Sequence, residues 1–446
     1  MQSDTSMWNP ILETMERDEL RDLQLRRFRR QLVHVYEHSP FYRDKLDAAG
    51  IHPDEIETLA DVRRIPTTTK AELRDAQSGD PFPYGSLLAA DLHEVTEYHQ
   101  TSGTTGTPVR QADSWADWEW WSDCWATVLW AQGIRPDDRV FFPFSYNVFI
   151  AFWAGHSACE RIGAEVVPGG NLSSAQRVRT MADLECTCFM STPTYALRLA
   201  EVAEQEGLNP KAMPIERVVC AGEPGASVPG TKQRLEEAWN ATVFDHAGAT
   251  EVGAWGFTCE EATSVMHYNE GQFLVEVLGE DGEPVDDGER GELVITPLNR
   301  RAQPYIRFEL NDIVLYRDHD ACDCGRTFGI AEGGVRGRSD DLTKVNGTLL
   351  SPIAVEDTVR QADVVGEEFE IHIDPHPEKA GLDLMTVRVE RRPGDDRSTE
   401  DIRERIQNEL KVALGMSCRV EVLPHETLDR AELKADRLTD RREEVA

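Results

Sequence analysis

The segment YHQTSGTTGTPVRQ, residues 98–111, sets Ser102, Thr104 and Thr105 among Gly103 and Gly106, with Thr101 and Thr107 at its edges. Glycines let a backbone approach closely, and the N–H and O–H groups of such a loop can wrap a polyphosphate. GK[ST] is absent, so this is not the Walker loop, and an ordinary Ser/Thr/Gly surface loop is the alternative. FDHAGATEVGAWG, 244–256, ends a strand pattern and presents Thr250 and Glu251 where ligands sit in open α/β sheets. A carboxylate there can hold Mg²⁺ on phosphates. In PYIRFELNDIV, 304–314, Asp312 follows an apolar strand, and a carboxylate so placed can accept both hydroxyls of a ribose. Two further charged segments are GRSDD, 337–341, and DRAELKADR, 429–437, the second carrying Lys434, one of only eight lysines. Taken singly, each of these also reads as surface charge.

These residues need elements to hold them. From about 95 to 300, apolar runs at 140–144, 164–168, 187–192, 216–222 and 242–248 alternate with helical patterns such as 173–184 and 194–206. Strands joined by helices need crossover connections, which predicts an α/β body with a largely parallel sheet. Upstream, Leu20, Leu23, Leu25, Phe28, Leu32, Val35 and Tyr36 approximate one apolar helix face, and Pro66-Thr-Thr-Thr-Lys-Ala-Glu-Leu reads as a turn and a capped helix start. Downstream of Gln272 the pattern becomes antiparallel, with strands around an Asp281-Gly282 turn. After Gly337 a β-α-β-β-α-β order predicts a small α+β domain, with a hinge in the polar stretch 338–341. The expected division is 1–337, with an antiparallel subdomain over about 255–335, and 338–446.

Composition excludes several classes. Asp plus Glu number 81 against 47 Lys plus Arg, a formal charge of -34, so nucleic acid and anionic membranes are not expected partners. Such an acidic, lysine-poor balance suits a protein of high-salt solution, where carboxylates keep the chain hydrated. MQSDTSMWNP has no signal-peptide pattern, and the longest uncharged stretch, 140–155, falls short of the ~20 apolar residues of a membrane span. A cytoplasmic protein is expected. Nine cysteines without an export signal point to free thiols or a metal rather than disulfides.

Together and in this order the segments resemble the adenylate-forming enzymes, specifically the phenylacetate-coenzyme A ligase family. Further carriers are WNPILETMERDELRDLQLRRFRRQL, SPFYRDKLDAAGIHPDEI, RIGAEVVPGGN, STPTYALRLAE, AGEPGASVPGTKQRLEEAW, GELVITPLNRRAQPYIRFELND, GRSDDL and LKADR. The resemblance implies a large N-terminal adenylate-forming domain, a mobile C-terminal lid, and a two-step reaction. A carboxylate attacks the α-phosphorus of ATP, releasing pyrophosphate, and the thiol of coenzyme A then displaces AMP. By position, Ser102, Gly103, Thr104, Thr105 and Gly106 would hold the triphosphate, and Gly222, Glu223 and Pro224 would line the adenine pocket. Asp245, Thr250 and Glu251 would contact nucleotide and Mg²⁺, Asp312 would bind the ribose, and Arg338 would assist. Lys434 would bridge acyl and phosphate oxygens, the lid would turn about Asp340, and Lys344 would swing toward coenzyme A.

The chain departs from the family pattern where Thr107 replaces a lysine, so phosphate binding is expected to lean on Arg110 or Mg²⁺. Ala247 stands where an aromatic stacks on adenine, leaving His246 to take over. SYNVFIAFWAG, 145–155, falls at the family's acid site, with Tyr146 and Phe149 as substrate contacts; Phe152 and Trp153 read equally as core helix. Cys259, His267, Cys322 and Cys324 suit tetrahedral structural zinc, an arrangement common in the family, against the alternative of free buried thiols. Cys124, Cys159, Cys186, Cys188 and Cys220 read as core. The leading expectation is ligation of an aromatic or arylacetic carboxylate to coenzyme A. An adenylyltransferase acting on another small molecule, such as a deazaflavin coenzyme, and a non-catalytic nucleotide-binding relative are the alternatives. A homodimer, if formed, is expected through the N-terminal helical segment.

Overall fold

A computed structural model of the chain describes residues 5–101, 107–379, 381–430 and 437–442. The glycine-rich loop residues 102–106 and Lys434 therefore lie outside the described residues. The chain divides into two compact units, the first made of 1–172, 186–189 and 244–334, the second of 173–185, 190–243 and 335–446.

In the first unit, helix Arg17–His38 buries Leu20, Phe28, Leu32 and Val35, as their spacing implies. Leu23, Leu25 and Tyr36 are only partly buried, and two glutamines share the inner face instead. The Gln24 amide donates to the carbonyls of Glu270 (2.9 Å) and Phe273, and that of Gln31 donates to Arg300. Long-range carbonyl partners, invisible in helical periodicity, make these amides core residues. Helix Lys70–Ala76 starts at a reciprocal cap between Thr69 and Glu72, as its sequence predicts. Helix Trp115–Ala131 is capped by Ser114 and Asp117 and carries five tryptophans with under a tenth of their surface exposed.

Strand Arg139–Phe142 pairs in parallel with Glu165–Pro168 and with Cys188 and Phe189, and helix Ile150–Ile162 makes the crossover. Antiparallel pairs follow: Phe273–Leu278 with Arg290–Pro297, that strand with Phe308–Arg317, and Val265–Tyr268 with both Gly253–Thr258 and Ile330–Arg338. The Asp281-Gly282 turn is present, Gly282 taking φ +77°.

The second unit holds strand Arg217–Ala221 and helices Ser174–Asp183, Pro193–Gln205 and Pro229–Trp239. Its C-terminal part is a four-stranded sheet in the order Arg419–Leu423, Asp383–Arg391, Val365–Pro375, Leu438–Asp440. The inner pair is antiparallel and both outer strands are parallel to their neighbours. Helices Pro352–Gln361 and Thr399–Leu414 bury Val355, Val359, Ile402, Ile406 and Leu410 against Ile371 and Val387. The predicted α/β body, antiparallel region and C-terminal α+β fold are all found; the short strand Leu438–Asp440 is an addition that its three residues do not announce. Among the described residues no helix is long and apolar enough to cross a membrane.

Candidate functional site

Thr250 and Glu251 occupy the connection between antiparallel strands Thr242–Ala249 and Gly253–Thr258. Glu251 is 4% exposed, and its carboxylate lies 2.9 Å from the ammonium of Lys70 at the start of helix Lys70–Ala76. Its main-chain carbonyl accepts a 2.6 Å hydrogen bond from Arg300. Asp245, on the strand leading to this connection, has its backbone fixed at both ends. Its N–H donates to the Thr258 hydroxyl (2.9 Å) and its carbonyl accepts from Gln132 (2.9 Å).

Asp312 owes its position to a bulge. Glu292 faces Ile313 while Val294 faces Glu309, so the strand Phe308–Arg317 carries extra residues there, with Asn311 in the left-handed region at φ +61°. Bulges re-aim side chains beside sites, and this one immediately precedes the carboxylate.

Arg300 is a residue that sequence reading passed over. Its guanidinium is wholly buried, ion-paired with the equally buried Asp113, and lies over the rings of Trp121 (5.3 Å) and Tyr305 (5.7 Å). Trp121 Nε1 donates to the same Asp113 oxygen at 3.2 Å. Burial pushes the Asp113 carboxyl up to about 6, against the pull of Arg300, so it remains ionised at neutrality. The pair stands 187 positions apart in the chain, a separation no local motif reports.

Arg110 donates from its guanidinium to the Pro83 carbonyl (3.1 Å) and lies over the Phe82 ring. One expectation requires correction. His246 does not take the place of the missing adenine stack, because it is buried, with Nδ1 2.8 Å from the Gly256 carbonyl and its ring 4.1 Å from that of Trp125. Lys70, not singled out by sequence, is the cation the structure does place on Glu251.

Of the residues assigned to the acid, Tyr146 donates to or accepts from His156 Nδ1 at 2.9 Å, and its ring meets Trp153 edge-on at 4.8 Å. Phe149 immediately precedes helix Ile150–Ile162. Phe152 lies flat on the buried Phe144 with ring centroids 3.9 Å apart, while Trp153 is 41% exposed.

In the second unit, Gly222 takes φ +94°, and the Glu223 carboxylate accepts the Thr194 N–H at 2.8 Å, near the start of helix Pro193–Gln205. Arg338 forks onto the Asp340 carboxylate with contacts of 2.9 and 2.8 Å. Lys344 lies in the hairpin strand Thr343–Val345.

Cys259, His267, Cys322 and Cys324 converge in the first unit, one donor atom from each lying within 4.8 Å of the others. Cys259 Sγ is 3.6 Å from His267 Nε2 and 3.7 Å from Cys322 Sγ, and Cys324 Sγ is 3.5 Å from the same nitrogen. Three sulfurs and one imidazole nitrogen form a soft donor set that fits tetrahedral zinc. The remaining cysteines, Cys124, Cys159, Cys186, Cys188, Cys220 and Cys418, are buried and form no disulfide among the described residues.

Residues 98–297 match the model of the AMP-binding enzyme family and 347–442 that of the AMP-binding enzyme C-terminal domain. A phenylacetate-coenzyme A ligase of Thermus thermophilus is 31% identical over 96% of this chain and 97% of its own. The one from Escherichia coli is 30% identical over 97% of each. Among solved structures, a 2-hydroxyisobutyryl-CoA ligase in the postadenylation state, in complex with 2-HIB-AMP, is 31% identical, covers 99% of this chain and 94% of its own, and has a TM-score of 0.93. The same ligase with 2-HIB-AMP and CoA in the thioesterification state has a TM-score of 0.75.

Proposed function

The chain belongs to the phenylacetate-coenzyme A ligase family of AMP-binding enzymes, and on that premise we propose that it joins an aromatic or arylacetic acid to coenzyme A. It is an AMP-forming acid–thiol ligase. ATP and the acid give an acyl-adenylate and pyrophosphate, and the thiol of coenzyme A then displaces AMP. The observation that carries this is the full-length likeness to ligases, one of them holding an acyl-adenylate. The rings of Phe142, Phe144, Tyr146, Phe149, Phe152 and Trp153, gathered around one helix start, favour an aromatic acid over the short aliphatic acid named for the solved relative.

Residue roles follow the same premise. The loop 102–106 holds the triphosphate, and Gly222, Glu223 and Pro224 line the adenine pocket. Asp312 binds the ribose with help from Arg338. Asp245, Thr250 and Glu251 contact the nucleotide and its Mg²⁺; the buried oxygens of Glu251 are hard donors of the kind Mg²⁺ takes, and Lys70 balances their charge. Mg²⁺ supplies fixed positive charge beside the phosphates. Lys434 supplies a second cation to the charge that develops on the α-phosphate.

Residues 338–446 act as a lid that turns about Asp340, bringing Lys344 toward coenzyme A for the second step. A TM-score of 0.93 against the relative's postadenylation state and 0.75 against its thioesterification state supports a reading of the chain as poised before the thiol step. Zinc in the Cys₃His cluster is structural, since four protein donors close its coordination. The enzyme works in the cytoplasm of a high-salt organism, and any dimer forms through the N-terminal helical segment.

The test is pyrophosphate release from ATP and Mg²⁺ across aromatic, arylacetic and aliphatic acids at high salt, with and without coenzyme A. Acid-dependent release matched by acyl-coenzyme A is the expected result, fastest with an aryl acid. Folded protein that releases nothing with any acid overturns it and turns attention to adenylyl transfer onto another small molecule.

A further inference from the structure

Two helices of the second unit cap each other. Helix Pro229–Trp239 begins after Val228, whose side chain accepts nothing, so its first N–H groups need acceptors from elsewhere. The Asp357 carboxylate accepts the Gly230 N–H at 3.0 Å, and the Glu356 carboxylate lies 3.1 Å from the Thr231 hydroxyl. Both acids belong to helix Pro352–Gln361. That helix ends at Ala362, an extended residue rather than a left-handed glycine, whose N–H closes onto the Val359 carbonyl and leaves the carbonyls after it in need of donors. Arg234 satisfies them from the other side. Its Nε donates to the Arg360 carbonyl (2.6 Å), and its terminal nitrogens donate to Ala362 (2.8 Å) and Gly366 (3.0 Å) and pair with Glu367 (2.9 Å). A guanidinium at a helix C-terminus and a carboxylate at a helix N-terminus each meet the favourable end of the dipole.

We propose that this reciprocal cap is a latch, and that Arg234 is its positioning residue: it holds the C-terminal domain in the adenylating arrangement and must let go before the thiol step. The inference rests on the ligase reading above and adds to it the contact that selects between the two half-reactions. The contact is suited to release. Apart from close main-chain approach at Gly230, what is described across it is polar, and water can replace each hydrogen bond when the helices separate. The C-terminal domain keeps its own apolar core around Val355, Val359, Ile371 and Ile406, so undocking need not unfold it. A second link of the same kind joins Arg430, held by the buried Glu390 carboxylate at 2.7 Å, to Glu201 at 3.8 Å on helix Pro193–Gln205.

Gly230 allows the latch to be opened without touching a charge. A Cβ there would lie 2.9 Å from Arg360 Cβ and 3.0 Å from the Asp357 carbonyl oxygen, so Gly230→Ala drives a methyl between the helices. The experiment measures both half-reactions in the full chain: acid-dependent pyrophosphate–ATP exchange, and thioester formation from a supplied acyl-adenylate and coenzyme A. Arg234→Met and Gly230→Ala are each compared with wild type, with melting temperature and hydrogen exchange of segments 228–234 and 352–366 read alongside. Expected is roughly a tenfold fall in exchange with thioester formation unchanged or faster, in both variants, and faster amide exchange confined to the two segments. Equal loss of both half-reactions, or no change in either, overturns the latch while leaving the ligase reading in place. Absence of acid-dependent exchange in wild type overturns the ligase reading and this inference with it.

Discussion

His246 lies one residue before the position where an aromatic side chain was expected, yet burial turns it inward onto Trp125 and depresses its pKa to about 4 from an ordinary 6.5. The depressed value has a thermodynamic sign. Above pH 6.5 neither state is protonated at this ring and its contribution is intact. As pH falls toward 4, the unfolded chain takes up a proton that the native chain refuses, so stability drops by roughly 3 kcal/mol and then levels. His99, stacked on Trp118 and likewise pushed down to about 4 by burial, acts in the same window. His246→Asn, which keeps a donor for the Gly256 carbonyl, should flatten the pH dependence of the urea midpoint between 6.5 and 4 by about one proton; an unchanged slope refutes the assignment. Asp113→Asn tests the neighbouring pair, because removing one partner strands a fully buried guanidinium. The expected loss is about 3–5 kcal/mol by denaturant titration. Lys434→Ala tests the proposed chemistry instead: it should abolish adenylate formation and spare thioester formation from supplied acyl-adenylate, and equal loss in both removes Lys434 from the first step.

The same contrast between local and distant causes decides which elements sequence could reveal. Strands such as Arg217–Ala221 and Thr242–Ala249, and the cap of helix Lys70–Ala76, follow from neighbours within a few positions, and they were legible. The Cys₃His cluster, spread over 65 positions, was legible for a different reason: the resemblance to the family pointed to it where the spacing of Cys322 and Cys324 alone is a weak signal. Gln24, Gln31, Arg300 and the trans-acting caps of Asp357 and Arg234 were not legible. Each satisfies a backbone group at least 49 residues away, and nothing in a local window separates it from a solvated polar side chain. Of the proposed site, Glu251 was expected just past a strand and stands there, whereas Asp312, expected after a strand, lies within Phe308–Arg317, and neither the bulge beside it nor the lysine that meets Glu251 was foreseen. The cluster also makes a prediction at this scale. Cys259 and His267 stand at neighbouring antiparallel strands and Cys322 and Cys324 in the connection beyond Phe308–Arg317, so an ion bound there would tie three parts of the antiparallel region together. Elemental analysis should find about one zinc per chain, and Cys322→Ser or strong chelation should remove it and lower the melting temperature. Metal-free protein with the wild-type melting temperature would show the cluster to be four unligated side chains.

At the scale of the whole molecule two electrostatic effects oppose each other, and their balance can be worked out from the charge count. Ion pairs such as Arg63–Glu283 and Arg139–Glu165 lie at the surface, where each contributes between nothing and about 1 kcal/mol and weakens as salt is added. Against them stands the repulsion among carboxylates with no basic partner to balance them: 81 acidic against 47 basic residues leaves an excess of 34 negative charges. Long-range repulsion is screened most strongly, because the Debye length falls from about 8 Å at physiological ionic strength to about 3 Å at 1 M, while pairs in contact lie inside either length. Salt therefore relieves the excess more than it costs the pairs, and the native state should gain. The urea midpoint is expected to rise steadily from 0.1 to 2 M KCl with little change in m, since the surface exposed on unfolding stays the same. The charge-neutral sugar sucrose, which strengthens burial by exclusion but does not screen, separates the two causes. If sucrose alone reproduces the rise, or if KCl lowers the midpoint, the acidic surface is not what limits stability, and the ion pairs outweigh the repulsion among the unpaired carboxylates.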